Sequence, residues 1–192
     1  DNDDNDDNDD NDDNDDNDNG VFSFFNNKSS FLVQTMEPEE LVAILRSPLP
    51  EKERVPILII DVRDDDFEGG NIIGAKNYPS EEFNDIKCAE IIQLIKSKSE
   101  SKSESCKKQL PIPIVVFHCY MSQMRGPTAA RHFATYCSKI RSKLYHHPNN
   151  EIENENENES QLPNLTIAIL RGGYNKFNYR YKGRADLIEN VI

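Results

Sequence analysis

One strand, one loop and one helix start lie together in the stretch Ile112-Pro113-Ile114-Val115-Val116-Phe117-His118-Cys119-Tyr120-Met121-Ser122-Gln123-Met124-Arg125-Gly126-Pro127-Thr128. Its first part, from Ile112 to His118, is the kind of continuous apolar run that is buried on both faces of a parallel sheet. The seven residues that follow lack regular apolar spacing, and Gly126-Pro127 then opens a helix that we expect from Thr128 to about Leu144. The stretch therefore predicts one strand–loop–helix unit of an α/β fold.

Further apolar runs of strand length flank this unit along the chain. We expect strands at Phe31 to Val33, Pro56 to Asp61 and Leu165 to Leu170, and a short edge strand at Lys76 to Tyr78. The acidic, glycine-containing segment from Asp64 to Gly74 is predicted to be a loop. The predicted fold class is α/β, with an open sheet of about five mostly parallel strands and helices on both faces.

Three more helices are predicted between these strands. One begins at Pro38, one runs from Glu81 to about Lys96 with Ser80 as its cap, and one begins at Tyr174. In sheets of this kind ligands bind at the carboxyl ends of the strands, which is where Cys119 stands. In the helix from Glu81, the side chains expected to be buried are Phe83, Ile86, Ile91 and Leu94. In the helix from Thr128, they are Ala130, Phe133, Ala134 and Cys137.

Three segments of low complexity set the limits of the folded domain. Residues 1–20 are an acidic tail dominated by Asp and Asn, and inserts rich in Lys, Ser and Glu or in Glu and Asn occupy residues 96–109 and 148–161. None of them can bury enough apolar surface to offset the conformational entropy lost on folding, so we expect all three to be disordered. We predict a single folded domain over residues 21–185, followed by a short C-terminal tail at residues 186–192.

The net charge of −13 comes almost entirely from the acidic tail. Twelve aspartates lie in residues 1–18, so the remainder of the chain is close to neutral. This balance argues against a nucleic-acid partner, which would require a clustered basic face. The tail matches only the first half of a calcium-binding loop, because Asn26 stands where such a loop needs a bidentate glutamate, and we expect no metal site.

The cysteines show neither the spacing of a zinc site nor the density of a disulfide-stapled domain. We therefore expect reduced thiols and a location in the cytoplasm, or also in the nucleus. We also expect the protein to be a monomer. No apolar run is long enough to span a bilayer and no secretory signal is visible, so no membrane partner is expected. The four cysteines are Cys88, Cys106, Cys119 and Cys137.

Cys119 and Arg125, with five residues between them, have the arrangement that phosphoryl transfer requires. The positive end of a helix dipole beside Cys119 favours a nucleophilic thiolate, and the planar guanidinium of Arg125 can bind two oxygens of a phosphate and stabilise their charge. The alternative is that Cys119 is an ordinary buried cysteine and Arg125 a surface residue at chance spacing. His118 is expected to pack behind the loop, without a catalytic role. The candidate phosphate-binding residues, through their backbone N–H groups, are Tyr120, Met121, Ser122, Gln123 and Met124.

Four separated motifs occur in order within residues 31–180. They are Asp61-Val62-Arg63, the segment from Phe67 to Asn77, the segment from His118 to Pro127, and Leu170-Arg171-Gly172-Gly173. Together they resemble the hallmarks of the rhodanese-like superfamily, and the H-C-x5-R-G-P loop looks like that of the M-phase inducer phosphatases and the yeast-type arsenate reductases. The chain is most similar to small, stand-alone yeast members of this group, described as rhodanese-domain phosphatases.

The resemblance implies roles for individual residues. Cys119 takes the position of the nucleophile and Arg125 that of the phosphate-binding residue, whereas Asp61 and Arg63 take positions that hold the fold together. Val62 stands where the phosphatases keep a cysteine that can form a protective disulfide with the nucleophile, so that route of rescue from oxidation is absent.

The M-phase inducers also carry two glutamates in the loop, where this chain has Tyr120 and Met124. One of these glutamates has been proposed as the general acid, so no general acid is carried over. The proton for the leaving group then comes from a monoprotonated substrate, from water, or from a carboxylate of the loop after the second strand. The candidate carboxylates are Asp64, Asp65, Asp66 and Glu68.

Three functions stay open at this point, and we expect the first. It is a protein phosphatase of tyrosine or dual specificity, which needs no cofactor and acts on a phosphorylated protein through a cysteinyl-phosphate intermediate. The second is arsenate reduction, in which the same thiolate attacks this small oxyanion and glutathione or glutaredoxin serves as reductant. The third is a non-catalytic rhodanese-like interaction module, ranked last because such modules commonly lose the cysteine or the arginine.

Overall fold

A computed structural model describes residues 31–100, 111–146 and 162–189. In these ranges the chain forms seven strands and four helices, numbered here in chain order. The strands are β1 (Val33–Met36), β2 (Ile57–Asp61), β3 (Asn71–Ile72), β4 (Lys76–Asn77), β5 (Ile114–His118), β6 (Thr166–Leu170) and β7 (Ile188–Glu189). The helices are α1 (Pro38–Leu45), α2 (Asp85–Glu100), α3 (Arg125–His146) and α4 (Gly173–Tyr181).

Five of the strands form one sheet in the order β1-β6-β5-β2-β4. Every neighbouring pair in this sheet is parallel. β5, the strand of the opening motif, lies at the centre, and β4 lies at the edge as predicted. The α/β prediction of an open sheet with about five parallel strands is therefore confirmed.

Helices pack on both faces of this sheet, as the alternation of side chains along its strands requires. In β5, Val115 and Phe117 belong to one apolar core, whereas Val116 belongs to the other. The first core contains the buried sides of α2 and α3, and the second contains those of α1 and α4. The buried side chains of α3 include the four that were predicted, Ala130, Phe133, Ala134 and Cys137.

Three helix starts differ from the prediction, and the smallest difference is at α4, which begins at Gly173 instead of Tyr174. α2 begins at Asp85 rather than Glu81, because Asn84 caps it: Asn84 Oδ1 accepts a hydrogen bond of 2.9 Å from the N–H of Ile86. Ser80, the predicted cap, instead donates its hydroxyl to a carboxylate elsewhere in the chain. α3 begins at Arg125, three residues before the predicted start.

The buried face of α2 also differs from the prediction. Ile86 is 69% exposed, because it lies two residues from Cys88 and so points to another side of the helix. Phe83 lies before the first turn and is partly buried, as is Leu94. The residues that α2 buries are Cys88, Ile91, Ile92 and Ile95, at the spacing of one helical face.

The first strand was predicted from Phe31 to Val33. In the structure, β1 begins at Val33 and continues to Met36. The register explains the shift, because Val33 to Met36 pair with four consecutive residues of β6. Leu32 is exposed just before the strand.

The segment from Asp64 to Gly74 is not entirely a loop, since it contains β3. This strand pairs antiparallel with β7, which lies within the predicted C-terminal tail at residues 186–192. Leu187 and Ile188 are buried in the second core, so this part of the expected tail belongs to the folded domain. Strands of two residues carry too little periodicity to be recognised from sequence.

The acidic tail (1–20) and the second insert (148–161) lie outside the described residues. The first insert (96–109) is described only to Glu100, and its first five residues continue α2 instead of being disordered. The apolar stripe of α2 up to Ile95 explains why the helix runs into the insert. None of the helices in the described ranges is long and apolar enough to cross a membrane.

Candidate active site

Two loops that leave adjacent strands form the candidate site. β2 ends at Asp61 and β5 ends at His118, and these two residues are paired in the sheet. Because the strands are parallel, the segments that follow them emerge at the same edge. We call residues 119–124 the thiol loop and residues 62–70 the acidic loop.

A buried ion pair anchors the base of the acidic loop. Arg63 Nε donates to Asp61 Oδ2 at 2.8 Å, and both side chains are fully buried. The remaining nitrogens of Arg63 donate to the carbonyl oxygens of Asp66 and Gly70, and its guanidinium carbon lies 4.1 Å from the centre of the Tyr174 ring. A buried charge requires partners of this number and kind, in keeping with the structural role that the resemblance implied for Asp61 and Arg63.

His118 is buried behind the thiol loop. Its Nδ1 lies 3.7 Å from Asp61 Oδ1 and 3.4 Å from the carbonyl oxygen of Cys119. Burial lowers the pKa of His118, and the Asp61 carboxylate opposes only part of that shift. The imidazole packs behind the loop, as predicted. That His118 has no catalytic role stays a prediction.

Cys119 opens the thiol loop, and its side chain is only 4% exposed. The backbone N–H of Ser122 donates to Cys119 Sγ at 3.2 Å, and the Ser122 hydroxyl accepts a long hydrogen bond of 3.4 Å from the N–H of Cys119. Ser122 has a φ of 51°, in the left-handed region, which turns the loop back toward the sulfur. An N–H group directed at sulfur complements the charge of a thiolate.

The N-terminus of α4 holds the thiol loop from one side. The N–H of Tyr174 donates to the carbonyl oxygen of Cys119 at 2.9 Å, and the N–H of Asn175 donates to that of Tyr120 at 2.8 Å. Gly173 permits this approach, because a Cβ there would lie 2.4 Å from the Cys119 oxygen. The φ of Gly173 is +60°, so both the space and the backbone require glycine.

These two hydrogen bonds also orient the amide groups of the thiol loop. In a trans peptide the C=O and N–H point in opposite directions, so the N–H groups of Tyr120 and Met121 point away from α4. Within residues 31–100, 111–146 and 162–189, the N–H groups of Tyr120, Met121, Gln123 and Met124 donate to no protein acceptor. Such a set of N–H groups beside a thiol and before a helix is suited to bind an oxyanion.

Arg125 is the first residue of α3, and the helix packs closely against the thiol loop. A Cβ at Gly126 would lie 3.3 Å from the backbone nitrogen of Cys119, which explains why a glycine follows the arginine. The positive end of the α3 dipole is thereby held beside the loop.

The guanidinium of Arg125 is bound by two carboxylates of the acidic loop. Nη1 donates to Asp64 Oδ2 at 2.8 Å and to Asp66 Oδ1 at 2.7 Å, and Nη2 donates to Asp66 Oδ2 at 2.6 Å. Asp66 thus occupies the arginine fork with both oxygens, as a bound oxyanion would. Asp64 is fixed from its other side by the Ser80 hydroxyl at 2.8 Å.

This contact sets the charge of both aspartates. Hydrogen bonds from Arg125 lower the pKa of Asp66 below its ordinary value. For Asp64, burial acts in the opposite direction, but hydrogen bonds from Arg125 and Ser80 outweigh it, and the pKa of Asp64 is lowered as well. The pKa of Arg125 is raised in turn, chiefly by Asp66. At neutral pH neither aspartate therefore carries a proton that it could donate in this state.

The structure brings the predicted site residues together at one edge of the sheet. Cys119 and residues 120–124 lie on one loop, and Arg125, which was predicted to end that loop, is the first residue of the helix that follows. The sequence named four acidic residues only as possible proton donors, and it did not show that Asp64 and Asp66 bind Arg125. The signal that could have shown it is the pairing of β2 with β5, which places the acidic loop beside the thiol loop.

The other described cysteines belong to neither the thiol loop nor the acidic loop. Cys88 and Cys137 are buried in the core between α2 and α3, where burial raises the pKa of each thiol to about 12. Neither is a candidate nucleophile. In the described part of the chain, no group of three or more His, Cys, Asp or Glu side chains is arranged to hold a metal ion.

Comparisons with known proteins connect this geometry with two activities. The chain is 33% identical over 134 residues to the dual specificity phosphatase ibp1 of Schizosaccharomyces pombe, which covers 69% of this chain and 83% of that protein. It is 29% identical to arsenate reductase 2.2 of Oryza sativa subsp. japonica, covering 56% of this chain and 66% of that protein. The solved structure of Ygr203w, a yeast protein tyrosine phosphatase of the rhodanese family, shares the fold, with a TM-score of 0.58 at 22% identity and coverage of 83% and 94% of the two chains. No protein-family model matches the chain.

Proposed function

Because the chain belongs to the rhodanese-like superfamily, in the branch that contains Cdc25-like phosphatases and arsenate reductases, we propose that it is a cysteine-dependent protein phosphatase. We assign it tyrosine or dual specificity and no cofactor. The observation that carries the proposal is the thiol loop, in which the Ser122 N–H donates to Cys119 Sγ while neighbouring N–H groups have no protein acceptor in the described ranges. These groups can bind the oxygens of a phosphate monoester while the sulfur faces phosphorus.

In the first step the Cys119 thiolate attacks the phosphorus of the substrate. An S–P bond forms as the ester P–O bond breaks, and the leaving oxygen departs with the electron pair. The N–H groups of the thiol loop stabilise the charge on the three oxygens that stay on phosphorus. The products are a cysteinyl phosphate and, once protonated, the free hydroxyl compound.

The proton for the leaving oxygen comes from a monoprotonated substrate or from water while Arg125 holds both aspartates in their charged form. An acidic-loop carboxylate could take over this task only after the phosphate had displaced it from the arginine. In the second step water attacks phosphorus, the S–P bond breaks, and inorganic phosphate and the Cys119 thiolate are released.

Arg125 must exchange one oxyanion for another before it can assist this chemistry. In the free protein its fork holds the Asp66 carboxylate in a bidentate contact. A phosphate group can bind the arginine fork with two oxygens and also reaches the N–H groups of the thiol loop, so it can replace Asp66. Arg125 then binds phosphate oxygens and stabilises their charge in the transition state.

Arsenate reduction is the second candidate, and the similarity to the rice reductase favours it. The Cys119 thiolate would displace water from arsenate, and a glutathione thiol would then attack the sulfur. Two electrons pass to arsenic, arsenite leaves, and the two thiols end as a mixed disulfide that glutaredoxin can reduce. Among the described residues, Cys88 and Cys137 are buried in the core and are not placed to act as the resolving thiol, so the proposal assigns that role to glutathione.

Hydrolysis of para-nitrophenyl phosphate by the purified protein tests the first candidate. We expect turnover at mildly acidic to neutral pH, and a loss of about a thousandfold or more in Cys119→Ser, because a hydroxyl at this site is a much weaker nucleophile than a thiolate. Cys88→Ala is the matched control, since it removes a buried thiol outside the site.

The same preparations, given arsenate, glutathione and glutaredoxin, separate the remaining candidates. Arsenite formation without phosphatase turnover would make the protein an arsenate reductase. A protein that performs neither reaction would contradict the proposal and would favour the interaction module. Turnover that survives in Cys119→Ser would contradict the assignment of Cys119 as the nucleophile.

A further inference from the structure

A cavity of about 290 Å³ lies beside Arg125, between the start of α2 and the first turns of α3. Arg125 and Met124, the last residue of the thiol loop, are among its lining residues, so the cavity borders the proposed phosphate site. Its volume is close to the lower limit of ordinary small-ligand pockets. An inorganic oxyanion bound on the thiol loop would leave this space empty.

The walls of the cavity are largely apolar and aromatic. Phe83 contributes a ring whose orientation is fixed by two edge-on contacts, with the Phe117 ring at 5.9 Å and the His132 ring at 6.0 Å between centroids. Met124, the last residue of the thiol loop, contributes a side chain that is 77% exposed. Ring edges and a thioether sulfur are favourable neighbours for another aromatic ring.

The cavity extends from the phosphate site in one direction. Arg125, Thr128 and His132 all line it, and they lie on one face of α3 over two helical turns. At 1.5 Å per residue, the distance from Arg125 to His132 along the helix axis is roughly 10 Å. His132 is held at the far end by Asp85, with 2.8 Å between Nε2 and Oδ1. His132 thereby forms a wall of the cavity.

We propose that this cavity, the aryl subsite, receives the aromatic ring of a phosphotyrosine residue while its phosphate group lies on the thiol loop. The inference rests on the proposed function and narrows it from tyrosine or dual specificity to a preference for aryl phosphates. A phosphotyrosine ring extends directly from the ester oxygen and can fill the space between Phe83 and Met124. The short alkyl stems of phosphoserine and phosphothreonine reach only its entrance.

Binding to the Cys119→Ser protein, which retains the loop but not the nucleophile, tests the subsite without turnover. The ligands are inorganic phosphate, N-acetyl phosphotyrosine amide and N-acetyl phosphoserine amide, each titrated by calorimetry. We expect the phosphotyrosine compound to bind about tenfold or more tightly than the phosphoserine compound, because only its ring is removed from water in the cavity.

Two further substitutions in the Cys119→Ser background test whether the preference for phosphotyrosine comes from this cavity. Thr128→Phe fills the cavity from an exposed position, and Phe83→Leu removes the aromatic wall while keeping apolar volume. Both should remove most of the preference for phosphotyrosine. Ile86→Phe is the matched control, because it adds a ring at an exposed position of α2 that does not line the cavity, and it should keep the preference.

The outcomes separate the subsite from the proposed function. If inorganic phosphate and both phosphoamino acids fail to bind, the proposed function is wrong, and the proposed aryl subsite is wrong as well. If all three bind but the two phosphoamino acids bind equally, the subsite alone is overturned. Equal weakening of both phosphoamino acids by Thr128→Phe and by Phe83→Leu would overturn it as well.

Discussion

At the scale of single residues, the main feature of the site is that Arg125 is bound by carboxylates of its own chain. Asp66 and Asp64 together make three hydrogen bonds of 2.6 to 2.8 Å to its guanidinium. This contact holds the guanidinium at the acidic loop, beside the thiol loop. Any anionic ligand must therefore compete with Asp64 and Asp66 for Arg125. A ligand that also binds the loop N–H groups competes best, so the contact favours tetrahedral oxyanions over simple monoanions.

Removing one competitor should strengthen the binding of oxyanions. In Asp66→Asn the arginine fork loses its bidentate carboxylate, and a partly exposed ion pair of this kind is worth about 0.2 to 1 kcal/mol. We therefore expect the inhibition constant of inorganic phosphate to fall roughly 1.4- to fivefold. Competitive inhibition of para-nitrophenyl phosphate hydrolysis measures it.

Asp65→Asn is the matched control, because Asp65 is a neighbouring carboxylate that does not bind Arg125. The effect of Asp66→Asn should be the same from about pH 5 to about pH 8, because Arg125 lowers the pKa of Asp66 and the carboxylate is charged throughout that range. Weaker phosphate binding in Asp66→Asn would show that Asp66 positions Arg125 for the substrate and does not compete with it.

At the scale of secondary-structure elements, α4 positions the thiol loop. Its first N–H groups hold the carbonyl oxygens of Cys119 and Tyr120, and this direction of the carbonyls turns the next two N–H groups away from α4. The glycine pair at the start of α4, Gly172 and Gly173, was noted in the sequence only as part of a family motif. Its physical role depends on the short distance between Gly173 and Cys119, which lie about fifty residues apart in the chain. A local sequence pattern cannot predict such a distance.

Gly173→Ala should therefore damage both stability and activity. The new methyl group would overlap the Cys119 carbonyl oxygen, and the positive φ would be strained in addition, so we expect a loss of more than about 3 kcal/mol in the free energy of unfolding. Urea denaturation measures this loss, and the turnover of the fraction that remains folded should also fall.

Gly183→Ala separates backbone strain from overlap. Gly183 also has a positive φ, of 81°, but a Cβ there meets no atom within 4 Å, so its loss should be only about 1 kcal/mol, with turnover unchanged. Similar losses of stability and activity in the two variants would contradict the role assigned to Gly173.

The first residue of α2 could not be predicted from the local sequence alone. Both Ser80 and Asn84 are good helix caps, and only tertiary structure decides between them. The Asp64 carboxylate binds the Ser80 hydroxyl, and Asn84 then caps the helix. In contrast, the apolar periodicity of α3 allowed four of its buried side chains to be predicted correctly, because periodicity alone determines which face of a helix is apolar.

At the scale of the whole molecule, a group of three buried polar side chains lies beneath the site. His118, Asp61 and Arg63 join the ends of the two central strands below both loops. The sequence placed them at strand ends, and their burial explains why they serve the fold and do not take part in the proposed chemistry. The two-stranded pairing of β3 with β7 could not be predicted, because it joins short segments more than one hundred residues apart.

His118 should make the stability of the protein depend on pH. Burial lowers the pKa of His118 in the folded protein, so below about pH 6.5 the unfolded chain binds a proton that the folded chain does not. The free energy of unfolding should therefore decrease as the pH falls below about 6.5, by up to about 1.4 kcal/mol per pH unit from this group.

Urea denaturation at a series of pH values checks this slope, and His118→Asn should reduce it. An equal slope in the wild-type protein and in His118→Asn would mean that other groups cause the pH dependence.

The central claim is that phosphate is transferred to Cys119 before it reaches water. Exchange of oxygen between inorganic phosphate and water tests it most directly, because a thiolate that forms a cysteinyl phosphate expels a phosphate oxygen reversibly. Phosphate labelled with heavy oxygen should lose its label to water in the presence of the wild-type protein, and should keep it with Cys119→Ser. Hydrolysis of aryl phosphates by the wild-type protein without any exchange, or exchange that persists in Cys119→Ser, would contradict the account.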